Sequence, residues 1–166
     1  MLPGAPHVAI AVSATTRGRR PGERDGHEYH FLSQDEFERS IAAGEFVEHV
    51  SYAGNRYGTL RSEIDRRLAD DLSVILEIEL EGARALRREL SDSVSIFIAP
   101  PSMEELSARL RRRGTDSAEE IEQRLATGRG EVEAMSEFDH RIVNADVETA
   151  AAELAAIIDR ETRVAA

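Results

Sequence analysis

The chain has 166 residues, 41% of them hydrophobic, which is the length of about one domain and enough apolar material for a packed core. It has no cysteine, which excludes disulfides, thiolate metal sites and a thiol nucleophile. All 21 of its basic residues are arginine, so no Schiff-base lysine and no G-x-x-x-x-G-K-[ST] motif can occur within it. A net charge of −11 argues against a general nucleic-acid binder. No apolar stretch approaches a membrane span and no secretory signal is visible, so the expectation is a cytoplasmic protein.

Residues His7 to Ser13 alternate and are rich in Val, Ile and Ala, which predicts a strand. The charged, Gly- and Pro-containing stretch 14–28 predicts a loop. Ser33 and Glu36 form a capping-box pattern opening a helix through about Ala43, with Gly44 as its stop. Phe46 to Tyr52 predicts a strand, and Ala53-Gly54-Asn55-Arg56 a turn into a short return segment through Tyr57. A helix is expected over 62–70. The near-continuous apolar run Leu72 to Glu79 reads as a buried parallel strand. A short helix from Gly82 to Leu90 follows, then a buried strand from Val94 to Ala99 stopped by Pro100-Pro101. Ser102 with Glu105, and Ser117 with Glu120, predict two more capped helices. Arg141 to Val143 is a short strand, and Asp146 caps a final amphipathic helix to about Arg160.

Strands alternating with helices from residue 72 onward imply an α/β fold, with a parallel sheet covered by helices. Residues 29–60 differ and predict a small insert of mixed, more antiparallel β-structure.

Four segments could carry chemistry. Arg17, Arg19 and Arg20 follow a strand end, and guanidinium forks suit phosphate oxygens; Ser13, Thr15 and Thr16 add hydroxyls. A solvated charge cluster explains the same residues. Glu48 lies two residues from both Phe46 and Val50, so simple alternation places it on their apolar face, where a carboxylate needs a partner. Tyr57-Gly58-Thr59 offers a phenol and a hydroxyl around a glycine, as packing or as ligands. Glu77 and Glu79 stand at the carboxyl end of a predicted buried strand, where α/β sheets bind ligands, with Glu81 in the same turn. Arg109, Arg111, Arg112 and Arg113, before Gly114 and Thr115, exceed what complementing a helix dipole requires, and arginines on a mobile helix-loop-helix could close over a phosphoryl group. Arg124 lies one helix further on. The five histidines show no metal-ligand spacing.

In chain order the motifs are S-A-T-T-R-x-x-R-x-G-E, D-G-x-x-Y-x-F, G-E-F-x-E, G-N-x-Y-G-T, L-E-I-x-x-x-G-A, P-P-S-x-E-E-L-x-x-R-L-x-x-R-G-T-D-S and I-V-N. This series, from about Val8 to the C-terminus, resembles guanylate kinase. The resemblance implies a P-loop-kinase-like fold over 1–166. Its core would span 1–28, 72–108 and 126–166, with a GMP-binding lobe over about 29–71 and a lid over about 109–125. It implies phosphoryl transfer from ATP to GMP, with ATP and Mg²⁺ as cofactors and small-molecule nucleotides, not nucleic acid or membrane, as partners. Residue by residue, Arg17, Arg20, Tyr29 and Tyr57 match the groups that hold the GMP phosphate. Ser13, Glu48, Thr59 and Glu79 match those that read guanine. Arg109, Arg113 and Arg124 match the arginines that embrace the ATP phosphates, and Asn144 matches the adenine side.

The chain departs from that pattern at Glu79, where the family has Asp, at Glu81, where it has Gln, and at Ala145, where an acid is common. The family also opens with a strand, a glycine-rich P-loop and a helix, whereas Met1-Leu2-Pro3-Gly4 stands about where that helix ends. The expectation is therefore a chain without the P-loop, its first strand and its first helix, in which transfer by these residues alone is slow. A non-catalytic GMP-binding or protein-interaction module of the same fold is the alternative, and a fragment without a stable fold a third.

Overall fold

A computed structural model describes residues 7–52, 54–90, 92–114 and 116–164. The chain divides into two compact units, Met1–Ser93 and Val94–Ala166.

The first unit begins with β1 (Val8–Ile10), which pairs in parallel with β6 (Ser73–Ile75). The chain then enters a second sheet as β2 (Ala14–Thr15), so the stretch predicted as loop over 14–28 starts as strand. That sheet has the order β3-β2-β5-β4, with β3 at His30–Phe31, β4 at Phe46–Tyr52 and β5 at Asn55–Leu60. β2 runs parallel to β3 and antiparallel to β5, which itself runs antiparallel to β4. The insert is therefore mixed, as expected.

Helix α1 (Gln34–Ala42) begins on the full capping box read from the sequence: Ser33 Oγ accepts from the Glu36 N–H at 3.2 Å while Glu36 accepts from the Ser33 N–H at 2.8 Å. It buries Phe37 completely, stacked on Phe46 at 4.4 Å between ring centroids, with Ala14 beneath. Helices α2 (Arg61–Ala69) and α3 (Leu80–Glu89) contribute Ile64 and Leu86 to a second cluster around Val47. The predicted strand Leu72 to Glu79 is shorter than its apolar run: only Ser73–Ile75 pairs, half-buried, because β1 turns away to β2 after the Ala11 N–H reaches the Ile75 carbonyl at 2.9 Å. Glu77 and Glu79 thus lie beyond the strand, and Glu79 is the N-cap of α3.

The second unit holds a parallel pair, β7 (Ile96–Ala99) with β8 (His140–Val143). Helix α4 (Met103–Arg113) starts at Ser102 and ends on Gly114, whose φ of +65° suits glycine. Only half of the predicted capping box forms there. Ser102 accepts from the Glu105 N–H, but the Glu105 carboxylate turns to Arg109 and Arg112 instead. Helix α5 (Ala118–Glu133) has the complete box on Ser117 and Glu120. A 3-10 turn over Ala134–Glu137 leads into β8, and α6 (Val147–Val164) starts at Asp146, which accepts from the Thr149 N–H at 2.8 Å. Ile142, Ala150 and Ile157 form the core of this unit, with Ile96 and Leu154 against them. Thr115 and Ala53 lie outside the described residues.

Candidate nucleotide site

The register of the four-stranded sheet sorts its side chains onto two faces. Ala14 pairs with His30 and Gly58, and packs with Phe37 and Phe46 on the α1 face. Thr15 pairs with Phe31 and Tyr57, so these three point to the opposite face, as do Tyr29 and Thr59 two residues along. Glu48 pairs with Thr59 and joins them. Simple alternation would have put Glu48 beside Phe46, but the register slips between Phe46 and Glu48. This bulge sends Phe46 to the α1 face, its ring 6.1 Å from His49, and turns Glu48 away from it. The expected shared face is corrected for Phe46, whereas Val50, paired with Tyr57, stays on the side of Glu48.

Glu48 is 4% exposed, and its Oε1 accepts from the Thr59 hydroxyl at 2.8 Å. Burial pushes its carboxyl above the ordinary value, and the Thr59 hydrogen bonds pull the other way. Its Oε2 faces α3 at Gly82, where a Cβ would stand only 2.8 Å away. Glu79 sits one helical turn before Gly82, so the N-terminus of α3 carries it along the same side.

Beside this pair stands an aromatic and cationic cluster. The Tyr29 ring meets Tyr57 edge-on at 6.1 Å and Phe31 at 5.9 Å. The Arg17 guanidinium lies 5.4 Å from the centre of Tyr29 and 5.8 Å from that of Phe31. Glu23 holds Arg17 with a two-pronged contact of 2.8 and 3.1 Å and also accepts from the Arg20 N–H at 2.7 Å. The Arg17 hydrogen bond holds the Glu23 carboxyl below its ordinary value. Burial raises the Tyr29 phenol. Arg20 is exposed, and Ser13 accepts the His30 N–H at 2.9 Å through its carbonyl. The structure thus brings Arg17, Tyr29, Tyr57, Glu48 and Thr59 to one face of one sheet.

In the second unit, Arg109 donates to Glu105 at 2.9 Å and to the Asn144 carbonyl at 2.9 Å, linking α4 to the end of β8. The Asn144 N–H continues the ladder to the Ala99 carbonyl at 2.8 Å. Asn144 Oδ1 is buried and meets no hydrogen-bond donor among the described residues. Arg124 lies 3.3 Å from Asp116, and Arg113 closes α4. Arg109 and Asn144 therefore form one contact, while Arg113 and Arg124 stand on successive helices.

Two acids with clear structural work were not singled out in the sequence. Glu23 closes the S-A-T-T-R-x-x-R-x-G-E motif, but by its charged loop alone it resembles any solvated acid. Glu63, 4% exposed, has arginines three and four residues on, the ordinary pattern of an exposed helix. Among the described residues no group of three or more His, Asp or Glu could hold a metal ion, and no helix is long and apolar enough to cross a membrane.

The family model described as Guanylate kinase matches residues 4–161. A guanylate kinase from Frankia casuarinae is 51% identical over 153 residues, covering 92% of this chain and 83% of the relative. One from Rubrobacter xylanophilus is 49% identical over 159 residues, covering 96% and 83%. The crystal structure of guanylate kinase from Anaplasma phagocytophilum superposes with a TM-score of 0.79 at 35% identity, covering 94% of this chain and 77% of that one. Similarity of this extent, together with α/β units built on parallel strand pairs and six helices, establishes that the chain belongs to the guanylate kinase family.

Proposed function

We propose that this chain binds GMP on the face of its four-stranded sheet and belongs to a phosphoryl-transfer reaction from ATP that yields GDP and ADP. One observation carries the reading. Tyr57 and Thr59 share a face of β5, so a phosphate-type cluster and a base-type acceptor lie about 7 Å apart, two residues of strand. In this reading the buried Glu48 carboxylate, oriented by Thr59, accepts the N1–H and amino protons of guanine. Ser13 and Glu79 complete the base pocket. Arg17, Arg20, Tyr29 and Tyr57 take the phosphate. Glu23 and the Gly18 carbonyl together engage three of the Arg17 N–H groups and hold the guanidinium in place, leaving its Nε–H and one Nη2–H for the ligand phosphate.

Arg109, Arg113 and Arg124 would balance negative charge on the ATP phosphates, and Asn144 Oδ1 would accept from the adenine amino group. In the transfer, an oxygen of the GMP phosphate forms a bond to the γ-phosphorus as the bond to the ADP oxygen breaks. No residue cluster for Mg²⁺ is gathered among the described residues. The complete absence of lysine favours a second reading for these 166 residues taken alone, GMP binding without turnover, since P-loop kinases use a lysine on the transferred phosphates.

Calorimetric titration with GMP and a coupled ADP-release assay separate the two readings. GMP binding with ADP release supports the first, and binding without release the second. A folded chain that binds no GMP overturns both. Arg17→Ala is expected to weaken GMP by about 1.5–3 kcal/mol, the value of a charged hydrogen bond to phosphate. Unchanged affinity would remove Arg17 from the site.

Gly82→Ala tests the base pocket without touching a ligand group. A Cβ there stands 2.8 Å from Glu48 Oε2 and 3.4 Å from Ile78 Cβ, so the carboxylate must swing. Alanine in a helix is favoured over glycine by about 1 kcal/mol, which offsets the crowding. The expected result is near-unchanged thermal stability with about ten-fold weaker GMP binding, from a misplaced acceptor. Equal affinity would show that Glu48 has room to spare.

A further inference from the structure

We infer that Glu63 is a positioning residue for the GMP-binding face, holding together the two segments that present Ser13 and Tyr29; this rests on the GMP reading above. Glu63 lies on α2, outside the proposed ligand contacts, yet is among the most deeply buried acids described, at 4% exposure. Its Oε2 accepts the Val12 N–H at 3.0 Å, one residue before Ser13. Its Oε1 lies 3.3 Å from His30 Nε2, one residue after Tyr29. The same two segments meet directly where the His30 N–H donates to the Ser13 carbonyl at 2.9 Å. One carboxylate therefore spans the junction where the chain leaves β1 for β2 and the start of β3.

A buried carboxylate is retained only if it is paired, and Glu63 accepts from the Val12 N–H, Arg66 and Arg67, with His30 Nε2 close by but making no hydrogen bond. Arg67 donates to both its carboxylate and its backbone carbonyl, and Arg66 donates to Oε1 at 2.7 Å. Burial pushes the carboxyl up, but the Val12 N–H and the Arg67 charge outweigh it and leave it below its ordinary value. Arg66 and Arg67 fix the carboxylate to α2, and the carboxylate in turn ties the Val12 amide and lies against the His30 ring. Without it, nothing on α2 ties the Val12 amide, and a shift there moves Ser13 and, through the His30–Ser13 bond, Tyr29.

The test pairs GMP affinity with thermal unfolding in Glu63→Gln and Glu63→Ala. Glutamine keeps the volume and one acceptor but loses the charge, so this variant is expected to fold. Affinity measured well below the unfolding midpoint reports folded molecules only. The dissociation constant for GMP is expected to rise about ten-fold in Glu63→Gln and further in Glu63→Ala, with faster hydrogen exchange at the Val12 and His30 amides. A lower midpoint with an unchanged dissociation constant would make Glu63 merely stabilising and overturn the inference. If Glu63→Ala does not fold, Glu63→Gln alone decides. A parent chain that binds no GMP overturns the GMP reading, and the inference with it; unchanged affinity in the variant of a binding parent overturns the inference alone.

Discussion

Glu48→Gln is expected to weaken GMP binding by about a hundred-fold, because it removes a charged acceptor whose hydrogen bonds contribute up to about 3 kcal/mol. The same change should leave thermal stability at neutral pH unchanged or higher. Burial raises the Glu48 carboxyl in the folded state, so the fold favours the protonated form. Ionisation of this group therefore takes stability away as pH rises from the ordinary 4.5 through the raised folded value, and an uncharged amide escapes that loss. Binding runs the other way, since only the carboxylate accepts from guanine, and affinity should fall on acidification as Glu48 takes up its proton. The GMP phosphate itself gains a proton near about pH 6, so the dependence is read as the difference between parent and variant. Calorimetry across this range checks both parts. An affinity in Glu48→Gln equal to the parent's would sink the assignment of guanine reading to this residue.

The bulge in β4 shows where legibility from the sequence stops. The segment Phe46 to Tyr52 was readable as a strand, and Glu48 as a carboxylate in need of a partner. The face it takes was not, because a one-residue slip inverts every assignment after it and leaves no compositional trace. Capping chemistry transmits better, being local: Ser33 with Glu36 and Ser117 with Glu120 open α1 and α5 as read. At Ser102 the same pattern yields only half a box, since the adjacent arginines compete for Glu105. Apolar content alone overstated β6, whose length is limited by the three residues of β1 available to pair with it.

The candidate site residues follow the same division. Arg17, Tyr29, Tyr57, Glu48 and Thr59 are scattered over more than forty positions, and ordered motifs identified them as a set before any geometry did. The supporting roles of Glu23, which closes the first motif, and of Glu63, which lies in none, were not readable, because acids near arginines look alike in sequence whether buried or solvated. What distinguishes Glu63 is a long-range amide partner, Val12, and such a partner exists only after the chain has folded. The exposed arginine pairs of α4 are the converse case: Arg112 with Glu105 is a surface contact of little energetic weight.

Gly58→Ala is expected to produce the largest loss of stability in the first unit. A Cβ at Gly58 would stand 2.8 Å from the Glu48 carbonyl oxygen, 2.8 Å from Phe46 Cδ1 and 3.0 Å from His49 Cβ. The glycine is required by space, not by backbone conformation, since its φ is not positive. The contrast with Gly82 lies in what must move. There the nearest atom ends a flexible side chain; here it is a backbone carbonyl in the β4–β5 ladder, backed by a ring stacked on Phe37. Relief requires opening the ladder or displacing Phe46 from its cluster, so the cost should reach the upper end of the overpacking range, about 3 kcal/mol. That corresponds to a fall of about 6–12 °C in the unfolding midpoint for a chain of this size. Because Gly58 sits between Tyr57 and Thr59, the strain also falls on the strand that sets the spacing between phosphate and base groups. Gly54→Ala supplies the comparison: its strain comes from a φ of +76° with open space around it, and its effect should be smaller and confined to the turn. Calorimetric unfolding of the two variants checks the order, and a Gly58→Ala midpoint within about 2 °C of the parent would show that β4 and β5 part more easily than their register implies.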